Sequence, residues 1–208
     1  QRFLADLRRW EAARSRASLF DERLKLAREL GLRELEHIAG SRWIALFGYE
    51  RDYSSIMEGL AHPNGAHPNG DSHRASDQPS GDSHRASTPS SLGDSHHAGG
   101  DCHHAIIAAA GKSQACLIDA WERAGKPCPL VALPFLPQES WDQILMASDC
   151  SMVRGEESLA RAAIIGRPFL WHAYRQDEGH HQVKVQALAD HIAAHIAVEL
   201  GQELSETM

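Results

Sequence analysis

The 208-residue chain contains no apolar run near the roughly 18 to 20 residues that a bilayer-spanning helix needs, and no charged-then-apolar leader opens it. It has no basic stripe either. Its 21 Lys and Arg residues are scattered among 28 Asp and Glu for a net charge of −7, which argues against non-specific binding of nucleic acid. None of the four cysteines, Cys102, Cys116, Cys128 and Cys150, shows CxxC spacing, and three lie in or beside apolar segments, as reduced core thiols do. The GxGxxG fingerprint of dinucleotide enzymes is missing, and with it any reason to expect NAD or FAD. The expectation is a soluble, cytoplasmic protein without a cofactor. The chain opens on Gln1 rather than Met, so further residues are expected upstream.

What is present reads as α/β. A hydrophobic content of 42% supports one sizeable core or two small ones. Residues 1 to about 36 read as helix, with Leu4, Leu7 and Trp10 on one face and Phe20, Leu24 and Ala27 at helical spacing before Gly31. Residues 1–40 are expected to be a helical connector from an N-terminal domain. Trp43 to Phe47 is a continuous apolar run, read as a strand buried on both faces; Gly48-Tyr49-Glu50 forms a loop, and a helix capped by Asp52 carries Tyr53, Ile56, Met57 and Leu60. Strands are expected again at Ala105–Ala110, Pro129–Leu133, Ser151–Val153 and Pro168–Trp171. Between them lie helices from Lys112 to about Ala124, Glu139 to Ser148 and Glu157 to Ile165, and a last helix follows with Val185, Leu188, Ile192 and Ile196 in one stripe. Five strands alternating with helices imply a Rossmann-like parallel sheet covered on both faces, over residues 41–60 and 105–208.

Residues 61–104 break this pattern. AHPNG occurs twice in tandem, GDSHRAS begins at Gly70 and Gly81, and a decayed copy begins at Gly93. Leu92 is the only large aliphatic residue there, so no core can form, and the segment reads as a disordered low-complexity insert. Eight of the 14 histidines fall within it, but their spacing resembles no zinc finger and no specific metal site is expected.

Three segments end at strand carboxyl edges, which converge on one crevice in a parallel sheet: Phe47 to Glu50, Phe135 to Gln138, and Arg154 to Ser158. The last is a charged turn, RGEES, running from a strand into a helix N-terminus. Unpaired amides and the helix dipole suit a phosphate there, and Arg154 can give a diphosphate two hydrogen bonds. Glu156 and Glu157 cannot both face phosphates, and at least one is expected to accept from ribose or sugar hydroxyls. Taken alone, the turn reads as helix capping, worth about 0.3 to 1 kcal/mol per acidic residue. Phe47 and Tyr49 read equally as core rings. Pro134 and Pro137 stiffen the loop carrying Phe135, and Gln138 suits the polar edge of a stacked base, although a rigid turn explains the same residues.

The string from Leu133 to Gln176, LPFLPQxxxDxxLxxxDxxxVRGEESxxRAxxxGRPFxWHxYxQ, resembles the C-terminal half of the protein-arginine rhamnosyltransferases of elongation factor P, the EarP family. The resemblance implies half of a GT-B glycosyltransferase that holds dTDP-β-L-rhamnose as donor substrate and transfers rhamnose, with inversion, to an arginine of elongation factor P. On matching positions, Phe47, Tyr49, Phe135 and Gln138 are implied to surround the nucleotide. Arg154, Glu156, Glu157, Ser158 and Tyr174 are implied to hold ribose, diphosphate and sugar, with Arg154, Glu156 and Glu157 nearest the chemistry. Glu157 departs from the family's Asp by one methylene. The family's N-terminal domain, with the aspartates that deprotonate the acceptor, has no counterpart in the chain, which is expected to bind donor and to transfer slowly or not at all by itself. Two other readings stand beside this one: a degenerate, non-catalytic binding protein, and a related transferase using another nucleotide sugar.

Overall fold

The computed structural model describes residues 2–13, 15–61, 103–175 and 179–206, with side chains at all of these except Arg16 and residues 195–206. Its centre is a parallel sheet of β1 (Arg42–Leu46), β2 (His104–Ala108), β3 (Leu130–Ala132), β4 (Cys150–Arg154) and β5 (Phe169–His172), in the order β3-β2-β1-β4-β5. The strands match the expected apolar runs to within a residue or two. Their continuous apolar character has a direct cause, since both faces of the sheet are covered. Trp43, Ala45, Ala105, Ile107, Val131 and Val153 face one core, while Leu46, Ile106, Ala108 and Met152 face another.

The second core is closed by α4 (Ser54–Ala61) and α5 (Lys112–Arg123) through Tyr53, Met57, Leu117 and Ala120. The first is closed by α6 (Gln138–Ala147) and α7 (Gly155–Ile165), and also by the N-terminal helices α1 (Arg2–Ala12), α2 (Arg16–Leu30) and α3 (Arg33–His37). Trp10, Leu26 and Leu35 are buried beside Trp43 and Ile144, so these helices are a layer of the sheet domain. The single long helix expected from residue 1 to about 36 is broken where Ser15 caps α2, its Oγ accepting from the Ser18 amide at 3.2 Å.

The expected stripe of α2 is turned by one position: Phe20 is exposed, and Leu19, Arg23, Leu26 and Ala27 point inward. A buried arginine causes this. Arg23 is 3% exposed; it donates to Ala147 O at 3.0 and 2.7 Å, to Ser41 O at 2.7 Å and to Asp149 at 2.7 Å, and its guanidinium lies 4.6 Å from the Trp43 ring. Asp149 also accepts from the Trp43 amide at 2.8 Å. This cluster joins α2 to the amino ends of β1 and β4.

In α8 (His180–Glu206) Val185 and Ile192 of the expected stripe are each 42% exposed and Leu188 is half-buried, while the side chain of Ile196 lies outside the described residues. The repeat insert falls outside the described residues between 62 and 102, and its flanks close α4 and lead into β2. Among the described residues Cys116, Cys128 and Cys150 form no disulfide. Among the described residues no helix is long and apolar enough to cross a membrane, and no three His, Cys, Asp or Glu side chains gather to hold a metal.

Removing one partner of a buried, hydrogen-bonded ion pair strands the other, a cost of about 3 kcal/mol or more. Arg23→Ala is therefore expected to lower unfolding free energy by about 3 kcal/mol in a urea titration. A loss under about 1 kcal/mol would mean that the cluster is dispensable.

Candidate functional site

β1 and β4 are neighbours, yet the chain leaves β1 toward β2 on one side and β4 toward β5 on the other. At such a switch point the loops diverge and leave a crevice at the strand carboxyl ends. Register fixes its lining. Leu46 lies opposite Met152, and Arg154 lies opposite His172. The Phe47 amide donates to Met152 O at 2.8 Å, which carries the pairing one residue past β1.

Arg154, the last residue of β4, is half-buried at the head of α7. Its guanidinium carbon lies 4.3 Å from the Phe47 ring centre and 5.1 Å from that of Tyr49, and Nη1 makes one long hydrogen bond, 3.4 Å, to Gly48 O. Among the described residues no carboxylate pairs with it. Gly155 then turns the chain into α7 at φ 67°, a conformation in which any side chain is strained. The residue at the helix start, Arg154, makes no capping bond through its side chain.

The two rings that Arg154 stacks on line separate cavities. One, of about 230 Å³, is lined by Phe47, Leu133, Phe135, Pro137, Gln138 and Trp141. Phe135 is 88% exposed on its proline-flanked loop, and Phe47 meets Trp141 edge-on at 5.9 Å, so this side offers flat apolar surface with one amide at the rim. The other, of about 280 Å³, is lined by Tyr49, Glu156, Trp171, Tyr174, His181 and Lys184. It is polar. Lys184 reaches Glu156 at 3.2 Å, and this contact first, then the residue's own amide, holds the Glu156 carboxyl below its usual range.

The expected site residues thus fall into a connected set. Phe47, Phe135 and Gln138 share the first cavity, Tyr49, Glu156 and Tyr174 share the second, and Arg154 touches both groups through Phe47 and Tyr49. Ser158 sits half-buried in the first turn of α7. Glu157 pairs with Arg161 at 2.9 Å. Gln176, the last residue of the resembling string, lies outside the described residues.

Three further residues, not singled out from the sequence, hold this set in place. Asp142, 7% exposed, accepts from Gln138 Nε2 at 2.9 Å and from Arg161 Nη1 at 2.5 Å, so the chain Gln138–Asp142–Arg161–Glu157 ties the head of α6 to the head of α7. The signal was available as i,i+4 spacing within each helix, but the bridge between helices was not. His172 is the third. It stands at the carboxyl end of β5, two residues before Tyr174, and its Nδ1 accepts from the Tyr49 amide at 3.1 Å.

A doubly wound parallel α/β sheet with an arginine at its switch point defines the class, a Rossmann-like domain. The family model for the elongation factor P (EF-P) rhamnosyltransferase EarP matches residues 99–208, and the chain belongs to that family. It is 49% identical over 61 residues to a protein-arginine rhamnosyltransferase of Neisseria meningitidis, covering 29% of this chain and 16% of that protein. It is 42% identical over 72 residues to the Pseudomonas aeruginosa protein of the same name, covering 35% of this chain and 19% of the relative. The matched part therefore spans less than a fifth of either relative. A solved structure described as the structural basis for EarP-mediated arginine glycosylation of translation elongation factor EF-P covers 90% of this chain and 48% of its own, with a TM-score of 0.52 and 22% identity, a likeness of fold.

Asp142 supplies a pH-dependent test. Burial first raises its carboxyl above the usual range, opposed by Gln138 and Arg161. A raised folded value means that stability falls as pH rises through it, because charging the buried group is costly. Arg161→Ala removes the compensating cation, so the variant is expected to lose about 2 to 3 kcal/mol at pH 8. The deficit should narrow toward pH 4 as Asp142 protonates. Urea unfolding at both pH values checks it, and a pH-independent deficit would point to lost packing alone.

Proposed function

We propose that the domain binds the donor of a protein-arginine rhamnosyltransferase, dTDP-β-L-rhamnose, for inverting transfer to an arginine of elongation factor P. The observation that carries this reading is Arg154: a cation at the start of α7, paired with no carboxylate among the described residues, and stacked on two rings that each line one of the two cavities. Such a group suits a diphosphate whose base lies to one side and whose sugar lies to the other. The base would stack on Phe47 and Phe135, with Gln138 at its polar edge. The ribose and sugar hydroxyls would meet Glu156, Glu157, Ser158 and Tyr174.

In the proposed reaction an arginine nitrogen attacks the anomeric carbon from the face opposite the diphosphate. A C–N bond forms, the C–O bond to phosphate breaks, and dTDP departs with the electron pair. Arg154, Ser158 and the first amides of α7 would stabilise the charge growing on that leaving group. A base must accept the proton that the guanidinium loses. Glu156, drawn low by Lys184, is poorly suited, and Glu157 faces Arg161, so the base is assigned to residues beyond this turn.

Addition of dTDP is expected to raise the melting temperature of the chain, and Arg154→Ala to abolish the shift, with an affinity loss of at least about tenfold. No shift at millimolar dTDP would overturn the donor reading. A larger shift with another nucleotide sugar would favour a transferase of different donor.

A further inference from the structure

The loop after β1 is held at Tyr49 from three sides. The Tyr49 amide donates to His172 Nδ1 at 3.1 Å, and the Tyr49 carbonyl accepts from Tyr53 Oη at 2.5 Å. Gly48 packs so closely against Tyr53 Oη and His172 Nδ1 that a Cβ there would collide with both. The His172 ring meets Tyr49 edge-on at 5.4 Å and Tyr53 at 6.3 Å, and Tyr49 in turn meets Tyr174 at 5.4 Å. Tyr49 thus stands between the strand pair β4–β5 and the stacked Arg154 guanidinium, and its position sets one wall of the polar cavity.

An Nδ1 that accepts a hydrogen bond carries no proton, so the ring is neutral with its hydrogen on Nε2. We propose that His172 is a positioning residue of the donor site, which fixes Tyr49 against Arg154 only as a neutral imidazole and releases it on protonation; the proposal rests on the donor reading above. Protonation turns the acceptor into a donor that faces another N–H, and it places a positive charge among Arg51 and Arg154. The other side chains facing the ring, Tyr49 and Tyr53, are phenols and bring no carboxylate to answer that charge. Burial, then Arg51 and Arg154, already hold the imidazole below its usual value. The neutral state is therefore the folded one at pH 7, and its contribution, complete above the ordinary histidine range, is lost as pH falls through and below it.

The test is the affinity of the full chain for dTDP-rhamnose between pH 5 and pH 8. The sugar ester is the right probe, because the terminal phosphate of dTDP titrates in this same window. Affinity is expected to be level above about pH 7 and to fall by up to about tenfold per pH unit once the imidazole protonates. His172→Asn places an amide oxygen where Nδ1 was, so it should bind within about threefold of the parent at pH 8 and show no fall at pH 5. His172→Phe keeps a ring but no acceptor, and should bind about tenfold more weakly at every pH.

A parent affinity that rises as pH falls would make the imidazolium a direct contact to the diphosphate and overturn the proposal, as would a fall that His172→Asn retains. The ligand-free chain gives a second readout: the Tyr49 amide resonance should titrate together with the His172 ring and stand still in His172→Asn. A stationary Tyr49 amide in the parent also overturns it. Absence of dTDP-rhamnose binding at any pH sinks the donor reading, while the amide titration reports separately on the clamp.

Discussion

The Arg154 guanidinium is held in place by rings, and the crevice depends on that choice of partner. A carboxylate would also have fixed it, but would have cancelled its charge. Stacking on Phe47 and Tyr49 contributes about 0.5 to 2 kcal/mol according to solvent exposure, and leaves the positive charge directed at whatever enters the crevice. Arg23 and Arg161 make the contrast. Arg23 is saturated by carbonyls and Asp149 at the amino ends of the strands, and Arg161 lies between Asp142 and Glu157. Both are structural because their charge is answered within the protein. Arg154 is the one of the three whose charge is not.

How far this was legible in the sequence follows from which interactions are local. The strands were visible because burial on both faces demands unbroken apolar runs, and Arg154 to Ser158 stood out as a charged turn at a strand's carboxyl edge, which taken alone helix capping also explains. Phe47, Tyr49 and Arg154 could be assigned to one crevice by topology alone. The inward face of α2 could not, because Arg23 reads as a solvent position until Asp149 and the Ala147 carbonyl are seen to meet it. His172 was hidden for a related reason. Its meeting with Tyr49 depends on the Arg154–His172 register of β4 and β5, which no spacing within either strand records. The stripe of α8 shows the converse, since its period was correct while its exposure lay outside what a pattern can say.

The remaining tension lies in the two acidic residues that follow Gly155. An acidic pair in the first turn suits the helix dipole and is the ordinary reason for such residues, yet the same pair beside an anion would repel it. Geometry separates the two effects. Lys184 draws Glu156 toward the rim of the polar cavity, and Arg161 draws Glu157 toward Asp142, so each carboxylate is answered by a cation. Capping and anion binding therefore stop being rival readings of the turn. The carboxylates can support the helix from its periphery, Glu156 through its own amide, while the Arg154 side chain, which caps nothing, keeps the centre. A sugar hydroxyl, unlike a phosphate, can approach these carboxylates without penalty, and this divides the crevice into a cationic middle and a hydrogen-bond-accepting edge. That division matches the polarity of a nucleotide sugar along its length: an aromatic base, a doubly charged bridge and a neutral ring of hydroxyls.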